Sequence, residues 1–210
     1  MLMHFVGNTV IGTVDISDLE ISDFFGRRYT KMEMTVSSTL AMMPQAVVKN
    51  SAFWTFITYM FMHGGVSHIL FNMFGLFIFG LHVERQIGSK EFLLYYLITG
   101  IMAGIFSFGV YYLSGNYIAA LVGASGALYA VMLAYAVFFP DAIVYIWGIL
   151  PLRAPIMVLG FTALELVFSI TRTNSGVAHL THLAGFGFGW LYFMIRFGVN
   201  PLRRLMGRYR

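Results

Sequence analysis

The chain has 210 residues, of which 59% are hydrophobic and only 10% are charged, whereas about 25% are charged in a typical soluble domain. Residues 1–51 carry nine charges and the last eight residues carry four arginines, but no charge occurs between Glu91 and Asp141. A membrane-spanning helix needs about 20 apolar residues, so this uncharged stretch is long enough for two spans. These patterns exclude a soluble globule. They also exclude a nucleic-acid-binding protein, because membrane orientation explains the basic carboxyl terminus.

Apolar segments in chain order predict an all-α, polytopic transmembrane bundle. Residues 1–14 are uncharged but too short to cross a bilayer as a helix, and residues 52–62 are typical of an interfacial segment. We predict three regions: a truncated first helix with an outer loop (1–51), a membrane domain (52–200) and a basic cytoplasmic tail (201–210). The predicted membrane spans comprise residues 67–83, 91–113, 124–139, 152–170 and 177–197.

The basic residues predict the orientation of these spans. Arg85 and Lys90 follow the first span and arginines follow the fifth, so both places are expected on the cytoplasmic side. The loop 114–123 has no charge and is expected outside. The first, third and fifth spans therefore run in the same direction, and their first residues are expected at a similar depth.

Four polar residues lie near the outer ends of those three parallel spans. His68 and Asn72 are four residues apart and share a helix face, Ser125 begins the third span, and His182 lies in the fifth. Because polar groups are costly in lipid, these side chains should face the protein interior or a water-filled cavity. Small residues beside them allow close helix approach. The glycines concerned are Gly123, Gly126 and Gly185.

A serine and a histidine at the same depth suggest nucleophilic catalysis. A Gly-Ala-Ser-Gly sequence alone is more typical of helix packing, but its combination with the other polar residues favours a Ser125–His182 dyad. Tyr129, one turn after the serine, is expected to pack on the histidine ring. The candidate oxyanion donors are the Asn72 amide, the His68 ring and the Ser125 backbone N–H.

Other ionisable residues receive different interpretations. Asp141 lies about 24 Å along the helix from Ser125, so no acid is expected to complete a triad. His179 is interpreted as a second ring facing the cavity and His63 as a structural residue at the interface. Glu165 is interpreted either as part of a gate or as a side chain that extends to the outer surface.

Several alternative chemistries lack their sequence signatures. The chain has no cysteine, which excludes thiolate metal sites and a cysteine nucleophile. It has no HExxH motif, and Asp141, at the end of the third span, is the only aspartate near the spans, so neither a zinc protease nor an aspartyl protease is indicated. We expect no metal and no cofactor. A transporter stays open as an alternative, although no inverted repeat is evident.

Four motifs follow one another between Trp54 and Gly189. They are His68-Ile69-Leu70-Phe71-Asn72, then Gly80, Glu84 and Gly88 at four-residue spacing, then Gly123-Ala124-Ser125-Gly126 with Tyr129, and last His179, His182, Gly185 and Gly189. In this combination the chain resembles the rhomboid family of intramembrane serine proteases. The resemblance implies a six-helix core, Ser125 as nucleophile, His182 as general base and then acid, and His68 and Asn72 in the oxyanion hole.

The resemblance also implies partners and location. The expected substrates are transmembrane proteins, cleaved in or near their membrane spans without a metal or cofactor. We expect a multi-pass protein of the bacterial inner membrane whose active site opens outward.

Two features depart from the family pattern. The family's first loop often contains a Trp–Arg pair, whereas Trp54 is followed by Thr55. The family's first transmembrane helix should precede a loop such as 15–50, whereas here only the short stretch 1–14 precedes it. The alternative function is therefore a proteolytically inactive rhomboid-like protein that binds and escorts membrane-protein clients.

Overall fold

The computed structural model describes residues 10–15, 31–146, 148–171 and 176–206. Within them, long helices dominate and two short antiparallel hairpins accompany these helices. The predictions for residues 1–9, 16–30 and 207–210 lie outside the described residues. The hairpins pair β1 (Val10–Asp15) with β2 (Lys31–Thr35) and β3 (Ile143–Ile146) with β4 (Leu150–Arg153).

The helices of the described part follow the predicted spans closely. A 3₁₀ turn, Tyr59–Phe61, extends α3, and a π-helical turn, Phe193–Phe197, extends α8. The helices are α1 (Val36–Leu40), α2 (Pro44–Asn50), α3 (Thr55–Thr58), α4 (Val66–Ile87), α5 (Ser89–Leu113), α6 (Ser125–Phe138), α7 (Ala154–Thr171), α8 (Gly176–Tyr192) and α9 (Pro201–Leu205).

Three of these helices are long and apolar enough to cross a membrane, namely α4, α5 and α7. Their outer faces carry large exposed hydrophobic side chains, such as Phe77 at 67% and Ile170 at 81% exposure, which lipid tails rather than water are expected to cover. The all-α membrane class predicted from the sequence is confirmed. The start of α7 follows from its sequence. Pro155 has no backbone N–H, which costs nothing in the first turn because N–H groups there have no acceptor within the helix.

The short helix α6 forms the centre of the bundle. Eleven of its 14 residues are buried, and four alanines allow neighbouring helices to approach closely. On one side, the hydroxyl of Tyr95 in α5 donates to the carbonyl of Ala130 at 2.6 Å. On another, Gly189 of α8 packs so closely that an added Cβ would lie 3.0 Å from the Cβ of Ala130.

Contacts along α6 show that α4, α6 and α8 run in the same direction, as the sequence predicts. Residue numbers rise together in each series of contacts. The series pair Gly75 with Leu128 and Phe79 with Tyr135 on the α4 side, and Gly185 with Gly126 and Gly189 with Ala130 on the α8 side.

Candidate active site

Ser125 is the first residue of α6 and follows a tight turn. Gly123 in this turn has φ +115°, a conformation that side chains disfavour. Its N–H donates to the carbonyl of Tyr59 at 2.9 Å, and an added Cβ would lie only 2.7 Å from Nε2 of His68. The first N–H groups of a helix have no acceptor within the helix, so the first turn of α6, which begins at Ser125, can donate to another group.

The structure brings Ser125 and His182 together. Nε2 of His182 lies 2.8 Å from Oγ of Ser125. This contact depends on the close packing of α8 on α6, where a Cβ added to Gly185 would lie 2.0 Å from the carbonyl oxygen of Gly126. Any larger residue at position 185 would therefore separate the two helices that carry the pair.

An aromatic ring supports the histidine. Tyr129 stacks on His182 with ring centroids 4.3 Å apart and an angle of 7° between the ring planes. The sequence predicts this packing. Phe186 contacts Tyr129 edge-on from α8 at 4.9 Å, so the tyrosine ring is itself held between two helices.

The two expected oxyanion residues lie on α4. His68 borders the turn at Gly123, because an added Cβ there would lie 2.7 Å from His68 Nε2 and 3.8 Å from Ser125 Oγ. Asn72 is buried at 4% exposure, and its Nδ2 donates to the backbone carbonyl of His68 at 3.0 Å. Asn72 and Ser125 each precede the contact between α4 and α6 by one turn, which places them at a similar depth.

His63 lies just before α4, with its ring centroid 5.1 Å from that of His68 in an edge-on arrangement. Burial and the neighbouring His68 lower the pKa of His63 below its usual 6.5. At neutral pH this ring is therefore uncharged and packs beside His68 as a structural neighbour.

The sequence predicts no acid next to His182, and this prediction is wrong. Glu165 on α7 is buried at 6% exposure, and its Oε1 lies 2.9 Å from Nδ1 of His182. Its Oε2 lies 2.5 Å from Nδ1 of His179, and its Oε1 accepts a hydrogen bond from the hydroxyl of Tyr129. The interpretation that this side chain extends to the outer surface is wrong for the same reason.

The geometry of α7 explains the difference. This helix runs antiparallel to α8, with Phe168 against His179 and Glu165 against His182, so its carboxylate lies at the depth of the histidines. One signal in the sequence pointed to this. An acid within an apolar span is by default expected to have a partner inside the protein.

Glu165, His179 and His182 also form a possible ligand set for a metal ion. One nitrogen of each ring and one carboxylate oxygen lie within 4.8 Å of one another. Imidazole and carboxylate groups suit zinc and related ions. Within the described residues, hydrogen bonds already join the three side chains.

The central buried helix lies inside a bundle of apolar helices and begins with a serine that is hydrogen-bonded to a histidine. This arrangement defines a polytopic membrane protein with a candidate serine–histidine site. The chain belongs to the rhomboid family, since the Rhomboid domain matches residues 50–199.

Named relatives agree with this family. The chain is 33% identical over 156 residues to RHOMBOID-like protein 12, mitochondrial, of Arabidopsis thaliana, a match that covers 65% of this chain and 44% of the relative. It is 32% identical over 147 residues to YdcA of Bacillus subtilis, covering 69% of this chain and 67% of the relative. It is 28% identical over 145 residues to rhomboid protease AarA of Providencia stuartii, covering 63% and 52%. The chain thus spans about half the length of two of these three relatives.

Proposed function

We propose that this protein is a serine-type intramembrane endopeptidase that cleaves transmembrane proteins in or near their membrane spans. The observation that carries the proposal is the 2.8 Å contact between Oγ of Ser125 and Nε2 of His182 at the amino end of a buried helix. Nδ1 of His182 lies 2.9 Å from a carboxylate oxygen that can only accept. Nδ1 therefore carries the proton in the neutral ring, and Nε2 is left as the acceptor for the serine hydroxyl.

The proposed reaction has two steps. Oγ of Ser125 attacks the carbonyl carbon of the scissile peptide bond while its proton passes to Nε2 of His182. The imidazolium gives that proton to the leaving amide nitrogen as the C–N bond breaks, which leaves an acyl-enzyme. Nε2 then takes a proton from water and the hydroxide oxygen attacks the ester carbonyl. The C–Oγ bond breaks, the carboxyl product leaves, and the imidazolium returns its proton to Oγ of Ser125.

The negative charge on the tetrahedral intermediate needs hydrogen-bond donors. The backbone N–H of Ser125 belongs to the first turn of α6, whose donors lack acceptors within the helix. Nε2 of His68 borders the same turn, and the Asn72 amide lies at the same depth one helix away. We propose these three groups as the oxyanion hole, and we propose that Gly123, Gly126 and Gly185 permit the close approaches described above.

Water must reach Ser125, and the length of α6 supports a route for it. Fourteen helical residues span about 21 Å, which leaves about 9 Å of a bilayer core about 30 Å thick to the non-helical residues 114–124. Such backbone is tolerated in a membrane where protein or water surrounds it. Backbone hydrogen bonds between Met42 and Leu121, of 3.1 and 2.8 Å, hold this loop against the chain that precedes α2.

Location and substrates form part of the same proposal. The protein is an integral membrane protein, and the basic residues favour an active site that opens to the outside of a bacterial inner membrane, although one relative is named as mitochondrial. The name of rhomboid protease AarA supports proteolysis. A site flanked by apolar helices suits a substrate that is itself a transmembrane helix. We assign these steps to a membrane domain at residues 52–200.

A fluorophosphonate probe tests the nucleophile directly. In the labelling reaction the serine oxygen bonds to phosphorus, fluoride leaves, and His182 takes the hydroxyl proton. We expect wild-type protein in detergent to be labelled, and Ser125→Ala and His182→Ala to lose labelling. The matched controls are Ser169→Ala and His82→Ala, since the hydrogen bonds found for these side chains in the described part of the chain go to carbonyls of their own helices.

Two outcomes would contradict the proposal. Labelling that persists in Ser125→Ala would remove this residue as nucleophile. Absence of labelling in wild-type protein that is folded, as judged by a cooperative melting transition, would favour the non-proteolytic escort function. Cleavage of a single-span substrate reconstituted in liposomes, lost in Ser125→Ala, completes the test.

A further inference from the structure

Glu165 is the only carboxylate that contacts the candidate catalytic histidine within the described residues. It comes from α7, a helix that supplies none of the other site residues. Its Oε1 lies 2.9 Å from Nδ1 of His182, on the ring edge opposite the one that faces Ser125. Three groups therefore form a continuous hydrogen-bonded series from hydroxyl through imidazole to carboxylate.

The carboxylate is fully satisfied by protein donors. It accepts hydrogen bonds from His182, from His179 at 2.5 Å and from the Tyr129 hydroxyl. Its side chain is only 8% exposed. Removing a carboxylate from water is costly unless such partners replace the lost solvation, so His179 and Tyr129 make it possible for Glu165 to occupy this position.

The same three residues could be taken for a metal site, but their spacing favours hydrogen bonds. Two ligand atoms on a tetrahedral zinc ion lie about 3.3 Å apart, given metal–ligand distances of about 2.0 Å. The contact between Glu165 Oε2 and His179 Nδ1 is 2.5 Å, which fits a shared proton. A zinc ion on Nδ1 of His182 would also take the place of the proton that the carboxylate now accepts.

We propose that Glu165 is a positioning residue that completes a Ser125–His182–Glu165 triad, and that His179 and Tyr129 hold its carboxylate in place. In serine hydrolases such an acid fixes the tautomer and orientation of the histidine and stabilises the imidazolium. Here Nδ1 of His182 must keep its proton for Nε2 to accept from Ser125, and Glu165 secures this. The inference rests on the proposed function and adds to it a residue that acts through the histidine.

The test compares Glu165→Gln with Glu165→Asp in the full-length protein. Gln has the same shape but can turn its amide N–H₂ towards Nδ1 of His182, which favours the wrong tautomer. We expect kcat for a single-span substrate to fall at least about 100-fold in Glu165→Gln, with KM changed less than about threefold. Glu165→Asp keeps the charge and should recover at least about tenfold of that loss. Ser169→Ala, one turn along α7, is the control.

A spectroscopic measurement separates positioning from structure. A proton held between imidazole and carboxylate resonates far downfield in the ¹H NMR spectrum. We expect this signal, assigned to Nδ1–H of His182, in the wild type and in Ser125→Ala but not in Glu165→Gln. A residue that only maintained the fold would change the melting temperature without this selective loss.

The outcomes distinguish this inference from the proposed function. Wild-type kcat in a folded Glu165→Gln protein, with Ser125→Ala inactive, overturns the triad and leaves the protease. Activity that EDTA removes and zinc restores overturns the triad in favour of a metal site. If Glu165→Gln does not fold, the double variant Tyr129→Phe/His179→Phe takes its place. It keeps the carboxylate but removes two of its donors, and unchanged kcat in this variant overturns the proposal.

Discussion

Replacement of Gly185 by alanine tests whether close packing of α8 on α6 sets the distance between serine and histidine. The added Cβ would lie 2.0 Å from the carbonyl oxygen of Gly126 and 2.9 Å from its carbonyl carbon. Both are backbone atoms, which no rotamer change can move away. An ordinary contact begins near 3.4 Å, so the helices must separate by about 1.4 Å at this point.

A separation of α6 and α8 by this amount is large enough to disrupt the contact between Ser125 and His182. Gly126 directly follows Ser125, and His182 lies three residues before Gly185 on the same helix. A separation of about 1.4 Å would lengthen the 2.8 Å contact between serine and histidine beyond hydrogen-bond distance. Misplacement by about 1 Å can reduce a catalytic rate about 100-fold, and overpacking costs about 1–3 kcal/mol of stability.

The assay is the rate of fluorophosphonate labelling per folded molecule, with the melting temperature measured in the same detergent. We expect Gly185→Ala to label about 100-fold more slowly than wild type. Gly187→Ala is the matched control on α8, because an added Cβ there has no neighbour within 4 Å. Wild-type labelling by Gly185→Ala would refute the argument that helix contact at this glycine sets the geometry of the pair.

Two further predictions concern the turn before α6 and the helix ends farthest from Ser125. Gly123→Ala should abolish labelling, because an alanine would have to adopt φ +115° and would press on the His68 ring at 2.7 Å; an active, folded variant would contradict this. Glu91→Gln should lower the melting temperature and leave the labelling rate per folded molecule unchanged, because Glu91 of α5 accepts hydrogen bonds from Tyr192 and Arg196 at the far end of the bundle. A changed rate in that variant would mean that the far end is coupled to the site.

Much of the fold could be predicted because long apolar segments of the sequence favour membrane-spanning helices. Long uncharged segments bounded by charges or prolines predict membrane helices, and the boundaries agree with the structure to within four residues. The relative direction of the spans follows from alternation along the chain. The depth of Ser125 and His182 on parallel spans then follows, and the structure brings these two side chains together at 2.8 Å.

The contacts of α7 could not be predicted in the same way. Its residues are apolar nearly all around, so periodicity does not indicate which side faces the bundle. Glu165 could therefore be placed at a depth but not on a face. The sequence does not predict the hairpin of β3 and β4 either, because strands of four residues give too short an alternation to distinguish from a loop.

The central helix indicates how the proposed hydrolytic site could be housed within a membrane protein. An α6 long enough to cross the bilayer would place Ser125 at the surface. With only 14 residues, α6 is shorter than a bilayer core about 30 Å thick requires, and backbone hydrogen bonds join Leu121 in the loop before it to Met42 near α2. The alanines and glycines of α6 and α8 let these two helices pack closely at Gly126 and Ala130, which leaves little room between them for a lipid tail. Ser125, His182 and Glu165 hydrogen-bond to one another in series, which lowers the cost of keeping these polar groups inside a bundle of apolar helices and favours the proposed site there.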